Sequence, residues 1–270
     1  MIDTLATLLL ALAAPAQEET PAPPAAIEDE RPAPSDGEVR AAVDALRKAR
    51  ATKQPKREEA AIEDAAEVWH ADVAREIAKS LGDDAETVRD GAIEALRWME
   101  VPEALEALTK QWRRDRELRN DVVAAPAMLR AIGQHADPRT VDLLADDVFE
   151  NTSAKAVQAR IFALGRARDV ESIDALMKMM VKVGDRSRGR RGGGGSGRSP
   201  HDANFRVALV VLTGIDLGRD ASAWREWWKD HRKKFEVSSE RPELPRDVER
   251  IWLRYWELAD ESEPEDGPRR

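Results

Sequence analysis

Apolar residues recur along residues 88–183 in a pattern that repeats every 32 to 36 positions. The first two copies share five positions at a spacing of 36: Leu96/Ile132, Pro102/Pro138, Leu105/Val141, Leu108/Leu144 and Trp112/Val148. The second and third copies share five positions at a spacing of 32: Ile132/Leu164, Gly133/Gly165, Asp137/Asp169, Val141/Ile173 and Leu144/Leu176. A repeat of this length, built from two helical segments, predicts an all-α protein arranged as an α-solenoid of helical hairpins.

A stretch rich in glycine and arginine, residues 184–199, interrupts this pattern. Beyond it the register returns at a spacing of 48, in the pairs Val157/Phe205, Ile161/Leu209, Leu164/Leu212 and Met180/Trp228. This spacing exceeds the 32-residue repeat by the length of the stretch itself. We therefore expect a loop inserted between two repeats, since the entropy of closing a loop rises slowly with its length.

Helix starts and breaks are predicted from capping residues and prolines. Ser35 and Glu38 form a capping-box pattern before the first helix, and residues 83–86 resemble a second box. Residues 57–81 contain no glycine or proline, which favours one long helix. Pro126 falls inside a predicted helix and should bend it. Further helix starts are expected at four positions: Asp137, Asp169, Asp220 and about Arg246.

The chain divides into four parts. Residues 1–16 resemble a secretory signal, because a short apolar run ends in the small-residue pattern Ala14-Pro15-Ala16. Residues 17–36 are rich in proline and acidic residues and should form a disordered tether. Residues 37–259 are the predicted solenoid, and residues 260–270 an acidic tail. The protein is expected to be exported to the periplasm or outside the cell, or, alternatively, to stay anchored by an uncleaved N-terminus.

Composition narrows the classes of function. The 270 residues carry a formal net charge of -9, which disfavours nucleic-acid binding, because that affinity comes from lysine and arginine. There is no cysteine, which excludes disulfides and thiolate zinc sites. No stretch of the mature chain is long and apolar enough to predict a transmembrane segment.

The repeats resemble HEAT repeats of the short bacterial type over about residues 73–235. Residues 83–96, DDAETVRDGAIEAL, are similar to the turn, Val-Arg pair and small-residue helix of that repeat. The run Leu212-Thr213-Gly214 with Leu217-Gly218 and Trp224-x-x-Trp227-Trp228 resembles the closing repeat of exported bacterial HEAT-repeat proteins. The resemblance implies a right-handed α-solenoid of HEAT-like hairpins. It also implies a scaffold for protein–protein contacts, with the second helix of each hairpin lining a concave face.

Candidate chemistry is sparse. The Gly-rich stretch lacks the Gly-Lys-Ser/Thr and the preceding strand of a phosphate-binding loop. The four histidines, His70, His135, His201 and His231, have no metal-ligand spacing, and no motif indicates a catalytic residue, a cofactor or a metal. The stripe Trp224, Trp227 and Trp228 is typical of a buried core at the end of a repeat array.

Two sets of residues remain as candidates for partner binding. Trp252 and Trp256 lie near the chain end, where one ring left at the surface would mark a partner site. Two rows of charge alternate in sign at equivalent repeat positions: Lys110, Asp146, Lys178 and Glu226, and Arg114, Glu150, Lys182 and Asp230. These rows predict either a ladder of ion pairs between neighbouring repeats, the favoured interpretation, or a charged recognition groove.

The sequence therefore predicts a non-catalytic, protein-binding scaffold of HEAT repeats in the bacterial cell envelope. The alternative is an enzyme or lyase built on HEAT repeats, with its site in the concave groove. Catalysis would require titratable side chains clustered in that groove, whereas the charge rows alternate and should pair with each other.

Overall fold

The computed structural model describes residues 32–146, 153–189 and 199–258, and every regular element within these ranges is helical. Thirteen α-helices follow one another: α1 Asp36–Ala51, α2 Pro55–Ala66, α3 Ala71–Ile77, α4 Glu86–Trp98, α5 Pro102–Arg114, α6 Arg116–Asn120, α7 Ala124–Gln134, α8 Val141–Ala145, α9 Ala154–Arg166, α10 Val170–Gly189, α11 Asp202–Thr213, α12 Ala221–His231 and α13 Arg246–Trp256. The prediction of an all-α protein is confirmed for these residues. None of the described helices has the combination of length and apolar character needed to cross a bilayer.

Several predictions concern residues outside these ranges. The signal at residues 1–16, nearly all of the tether at 17–36 and the tail at 260–270 are among them, as are Val148 and Glu150 of the repeat pattern.

The helices associate in two rows. One row, which we call the first-helix row, consists of α2, α4, α7, α9 and α11, and each member packs against the next. In the other, the second-helix row, α1 packs against α3, α3 against α5, α8 against α10, and α10 against α12. Consecutive helices such as α4 and α5, or α9 and α10, join the two rows. The apolar repeat positions lie between them.

The repeated apolar positions form the core. All of these side chains are buried: Leu96, Ile132 and Leu164, then Leu105, Val141 and Ile173, then Leu108, Leu144 and Leu176. The positions matched across the inserted stretch, Phe205, Leu209 and Leu212, are buried as well. Burying one such side chain contributes roughly 1.5–3 kcal/mol relative to leaving it exposed. The period in the sequence is therefore the period of the core.

The predicted long helix over residues 57–81 is wrong. Helix α2 ends at Ala66, and α3 begins at Ala71, after an extended residue, His70, with φ -147° and ψ 147°. The His70 Nδ1 accepts a hydrogen bond from the Asp72 N–H at 3.1 Å. The imidazole thus satisfies a free N–H of a new helix, which is the role that serine or aspartate usually has.

Some predicted caps are confirmed. Ser35 and Glu38 form a reciprocal capping box before α1, with Ser35 N donating to Glu38 Oε2 at 2.7 Å and Glu38 N donating to Ser35 Oγ at 3.3 Å. Asp137 caps a short 3-10 turn, Pro138–Thr140, that leads into α8, and Asp220 caps α12. Helix α13 begins at Arg246, as predicted.

Other local predictions are corrected. The box at residues 83–86 is not formed, because α4 begins one residue after Ala85 and Asp83 Oδ1 accepts from the Ala85 N–H instead. Pro126 does not bend a helix, since α7 begins only at Ala124 and the ring lies in its first turn. A proline there breaks no intrahelical hydrogen bond.

The inserted stretch begins later than predicted. Helix α10 continues to Gly189, so that residues 184–189 are helical, although the repeat pattern ends near Val183. Residues 190–198 lie outside the described residues, and α11 restarts at Asp202 with its register as expected.

A buried carboxylate joins the first three helices. Glu76 of α3, whose side chain is 3% exposed, accepts from Arg50 at 2.6 Å, Lys79 at 2.8 Å and Arg47 at 3.3 Å. Arg50 extends this Glu76 network to Glu58 of α2 at 3.2 Å. A buried charge needs such partners, because removing it from water is otherwise costly.

Candidate functional site

The two tryptophans predicted to mark a partner surface lie in the interior. Trp252 is 3% exposed and Trp256 is 0% exposed. Together with Val248 they occupy one face of α13 at a spacing of four residues, which is the apolar face of an amphipathic helix. Neither ring lies at the surface, although one of them was expected to be exposed if it marked a partner site. Their part in partner binding stays a prediction.

Two glycines at equivalent repeat positions form the seat for these rings. A Cβ added to Gly133 would lie 2.9 Å from Trp256 Cη2, and one added to Gly165 would lie 3.3 Å from Trp252 Cζ3. The rings therefore rest directly on the backbones of α7 and α9. Phe162 of α9 adds an aromatic contact to Trp252, with ring centroids 5.8 Å apart.

Arginines hold the end of α13 on the same side. Arg97 occupies the repeat position that glycine occupies in α7 and α9, and its Nη1 lies 2.9 Å from Glu257 Oε2. Arg130 Nη2 lies 2.9 Å from the other oxygen of Glu257 and also donates to the carbonyl oxygen of Tyr255. Burial opposes the charge of Glu257, yet the two guanidinium groups bring the pKa of this carboxyl below its usual value. Helix α13 is thus attached by both apolar and charged contacts to the first-helix row.

The stripe at the closing repeat is core, as predicted. Trp224 is 1% and Trp228 5% exposed, while Trp227 is half-buried and stacks on His231 with centroids 4.9 Å apart. The Trp228 Nε1 donates to Asp174 Oδ1 of α10 at 2.7 Å. This bond joins the closing helix to the helix before it in the second-helix row.

The predicted ladder of ion pairs is not formed by the described members of the charge rows. No ion pair joins Lys178 to Asp146 or to Glu226, and Lys178 is exposed. The charged contacts between neighbouring second helices use other positions: Arg47 and Arg50 with Glu76, Arg75 with Glu103 at 2.8 Å, and Arg232 with Asp174 at 2.5 Å. The described side chains of the two charge rows are exposed: Lys110, Arg114, Asp146, Lys178, Lys182, Glu226 and Asp230.

Three cavities follow the second-helix row, and we call the surface that contains them the second-helix face. One of about 510 Å³ lies between α1 and α3, and another of about 510 Å³ lies between α3 and α5. The third, of about 680 Å³, lies among α5, α6, α8 and α9. Charged side chains of both signs reach solvent around them: Arg40, Asp44, Glu106, Lys110, Arg113, Arg114 and Asp142.

A fourth cavity lies where first helices lead into second helices, and we call it the loop cavity. It measures about 530 Å³ and shares no lining residue with the three cavities of the second-helix face. Its wall combines aromatic and neutral polar side chains, Trp69, Trp98, Gln134 and His135, with charged side chains of both signs, Arg97, Glu100, Asp137, Arg139 and Arg166. Leu258, at the end of the described chain, also lines it. A volume of this size is in the range of small-molecule sites.

Arg166 is the arginine of the loop cavity that forms no ion pair among the described residues, whereas Arg97 and Arg139 each have a carboxylate partner. Its Nε donates to the Gln134 carbonyl oxygen at 3.1 Å, and its guanidinium lies 4.9 Å from the ring centroid of Trp256. No carboxylate of the described residues lies within ion-pair distance of it. Burial, together with Arg97 and Arg241, holds the pKa of the Arg166 guanidinium below its usual value. Glu100, which also lines the cavity, acts in the opposite direction without forming an ion pair with Arg166.

His135 is the only histidine on the wall of the loop cavity. Its Nε2 lies 3.1 Å from the Leu96 carbonyl oxygen, and burial lowers the pKa of the imidazole. Of the others, His70 caps α3, His201 is buried and His231 stacks on Trp227. Among residues 32–146, 153–189 and 199–258, no three histidine or acidic side chains are grouped to hold a metal ion.

Sequence reasoning missed the loop cavity and the seat of α13. The repeat pattern placed Gly133 and Gly165 at equivalent positions, and this match was the available signal. It did not indicate that aromatic rings from a distant helix would cover both. No protein-family model matches the chain, and no curated protein is significantly similar to it.

Proposed function

We propose that the chain is a non-catalytic, protein-binding scaffold whose hairpins are HEAT-type repeats stacked as a right-handed α-solenoid. The order of contacts along the two helix rows supports a stacked arrangement, because each described hairpin packs against its neighbours in sequence. The burial of equivalent repeat positions supports a common repeat unit.

One observation carries the proposal: the two helix rows differ in what covers them. Helix α13 lies on the first-helix row, with Trp252 and Trp256 seated on α9 and α7. The second-helix face instead presents three successive cavities with charged rims. Grooves between successive second helices are suited to receive side chains of a protein partner, and the rim charges supply orientation.

A protein partner fits this surface better than a nucleic acid. Charges of both signs surround the cavities, whereas phosphate backbones require an excess of lysine and arginine. The apolar run at residues 1–16 supports a place in the bacterial cell envelope, reached by export or held by an uncleaved N-terminus.

Site-specific photo-crosslinking tests the proposal. A benzoylphenylalanine is introduced at Lys110, on the rim of the cavity between α3 and α5, and separately at Arg254, an exposed position on α13. Both variants are irradiated in envelope extract of the source organism. We expect a defined protein adduct at position 110 and none at position 254.

The two positions are matched, since both are exposed basic residues on helices and their replacement should change stability by less than about 0.5 kcal/mol. Adducts of equal yield at both positions would show non-specific contact. If adducts are absent at position 110 and also at other rim positions such as Arg40 and Arg113, the second-helix face is not the docking surface.

A further inference from the structure

The loop cavity contains an arginine, Arg166, whose guanidinium forms no ion pair among the described residues. Arg166 lines the cavity, and its described interactions are one hydrogen bond through Nε and the contact with the Trp256 ring. Its two terminal nitrogens have no hydrogen-bond partner among the described residues. These two nitrogens are therefore available to a ligand, and an anion would supply the ion pair that this partly buried guanidinium lacks.

Two carboxylates line the loop cavity, and neither forms an ion pair with Arg166: Glu100 only partly compensates its charge. Asp137 is engaged by Arg139, with oxygen–nitrogen distances of 2.5 Å and 3.0 Å. Arg97 lies close enough to lower the pKa of Arg166 and is itself held by Glu94 and Glu257. The cavity thus carries charges of both signs, but Arg166 itself has no carboxylate partner among the described residues.

The remaining wall of the cavity is aromatic and polar. Trp69 and Trp98 are half-buried and line it, and Gln134 contributes a side chain whose Oε1 is buried without a hydrogen-bond partner. Flat apolar walls with a few polar groups at one point are typical of small-molecule sites. A guanidinium pairs with carboxylate or phosphate in a two-pronged geometry, which adds both affinity and orientation.

We propose that the loop cavity binds a small organic anion, whose carboxylate or phosphate group pairs with Arg166 and whose apolar part lies against Trp69 and Trp98. The anion has two possible sources: a free ligand, or the carboxylates of residues 259–266. Leu258 lines the cavity, and five acidic residues follow it in the sequence. This site is independent of partner binding on the second-helix face.

Titration with benzoate and phenyl phosphate tests the site, with neutral benzamide as the control probe. Isothermal calorimetry should give saturable one-site binding of at least one anion and none of benzamide. Arg166→Gln should weaken binding at least about tenfold, because a charge-assisted hydrogen bond is lost. Arg254→Gln removes an exposed arginine on α13 and should leave the affinity within about twofold.

A second measurement uses the unaltered protein, so that it does not depend on the folding of Arg166→Gln. Indole N–H resonances of the tryptophans are followed during the benzoate titration. Trp69 and Trp98 should shift, whereas Trp224 and Trp228, which do not line the cavity, should not.

The source of the anion is tested by a chain that ends at Leu258. Tighter benzoate binding to this chain than to the full chain identifies the carboxylates of residues 259–266 as the competing anion, and equal binding identifies a free ligand. Failure of both anions to bind both chains overturns the proposal. So does binding that is unchanged in Arg166→Gln, or indole shifts confined to Trp224 and Trp228.

Discussion

Replacement of Gly133 by alanine tests whether the close packing of α7 against both α9 and α13 stabilises the fold. An added Cβ would lie 2.5 Å from Ala163 Cβ, 2.8 Å from Ala163 Cα and 2.9 Å from Trp256 Cη2. All three distances are shorter than carbon–carbon contacts in a packed interior, and one of them involves backbone. Relief therefore requires α7 and α9 to separate, or Trp256 to leave its position.

Two opposing contributions set the change in the free energy of unfolding that Gly133→Ala should cause. Alanine stabilises a helix interior by roughly 0.8–1 kcal/mol relative to glycine. Overpacking a core costs typically about 1–3 kcal/mol. Gly91 supplies the matched control, because it lies within α4 and its added Cβ would only reach Ile62 Cγ2 at 3.9 Å, an ordinary contact. Gly91→Ala should thus stabilise the protein, and Gly133→Ala should be less stable than Gly91→Ala by about 1–3 kcal/mol.

Chemical denaturation followed by circular dichroism measures both variants against the unaltered protein. Both variants gain the same helix propensity, so the difference between their free energies of unfolding reports the cost of the close contacts at position 133. If Gly133→Ala were as stabilising as Gly91→Ala, the contacts of α7 with Ala163 and Trp256 would not be as close as described, and α13 would have to lie elsewhere.

Three further changes probe other contacts by the same denaturation assay. Trp228→Ala should lower the free energy of unfolding by about 3–5 kcal/mol, since the ring is buried and its indole donates to Asp174. Glu76→Gln should cost about 1–3 kcal/mol at pH 7, because the cations of the Glu76 network lose their charged acceptor. Burial opposes the charge on Glu76, but Lys79 and Arg50 hold the pKa below its usual 4.5, so this difference should fade as the pH drops below 4.5. Lys178→Glu should change stability by less than about 0.5 kcal/mol, because the side chain is exposed.

For each of these three variants, one result would contradict the expected change in stability. A loss below about 1 kcal/mol for Trp228→Ala would place the ring at the surface. The pKa of Glu76 is lower in the folded than in the unfolded state. Its carboxylate therefore stabilises the fold fully at a pH above the pKa of the unfolded state, and this stabilisation is lost in acid. A Glu76→Gln difference that grows below pH 4.5 would contradict this pH dependence. If Lys178→Glu lowered the free energy of unfolding by more than about 1 kcal/mol, the result would support the predicted ladder of ion pairs.

The core was predictable because burial imposes a period on the sequence. Leu96, Ile132 and Leu164 are equivalent in sequence and equally buried, since each closes the same space between two helix rows. The caps at Ser35, Asp137 and Asp220 were predictable as well, because their side chains bond to the adjacent backbone. These are local effects, and a single sequence records them directly.

Contacts between distant parts of the chain were not predictable in this way. Arg97 and Glu257 are 160 residues apart, and no periodicity connects them. The break after Ala66 was also missed, because a histidine rather than a glycine or proline starts the next helix. The loop cavity depends on both kinds of contact, since its walls come from residues 69, 97–98, 134–135 and 166 and from Leu258, which follows α13.

The attachment of α13 changes how the chain must fold. In an array of hairpins that contact only their neighbours, folding begins anywhere and spreads, and contact order stays low. Helix α13 adds contacts across up to 160 positions, from Glu257 to Arg97, and so couples hairpins that otherwise depend only on adjacent ones. The glycine seats on α7 and α9 stay uncovered until α13 docks on them. A chain cut before Arg246 would leave this apolar surface exposed, and exposed apolar surface favours aggregation.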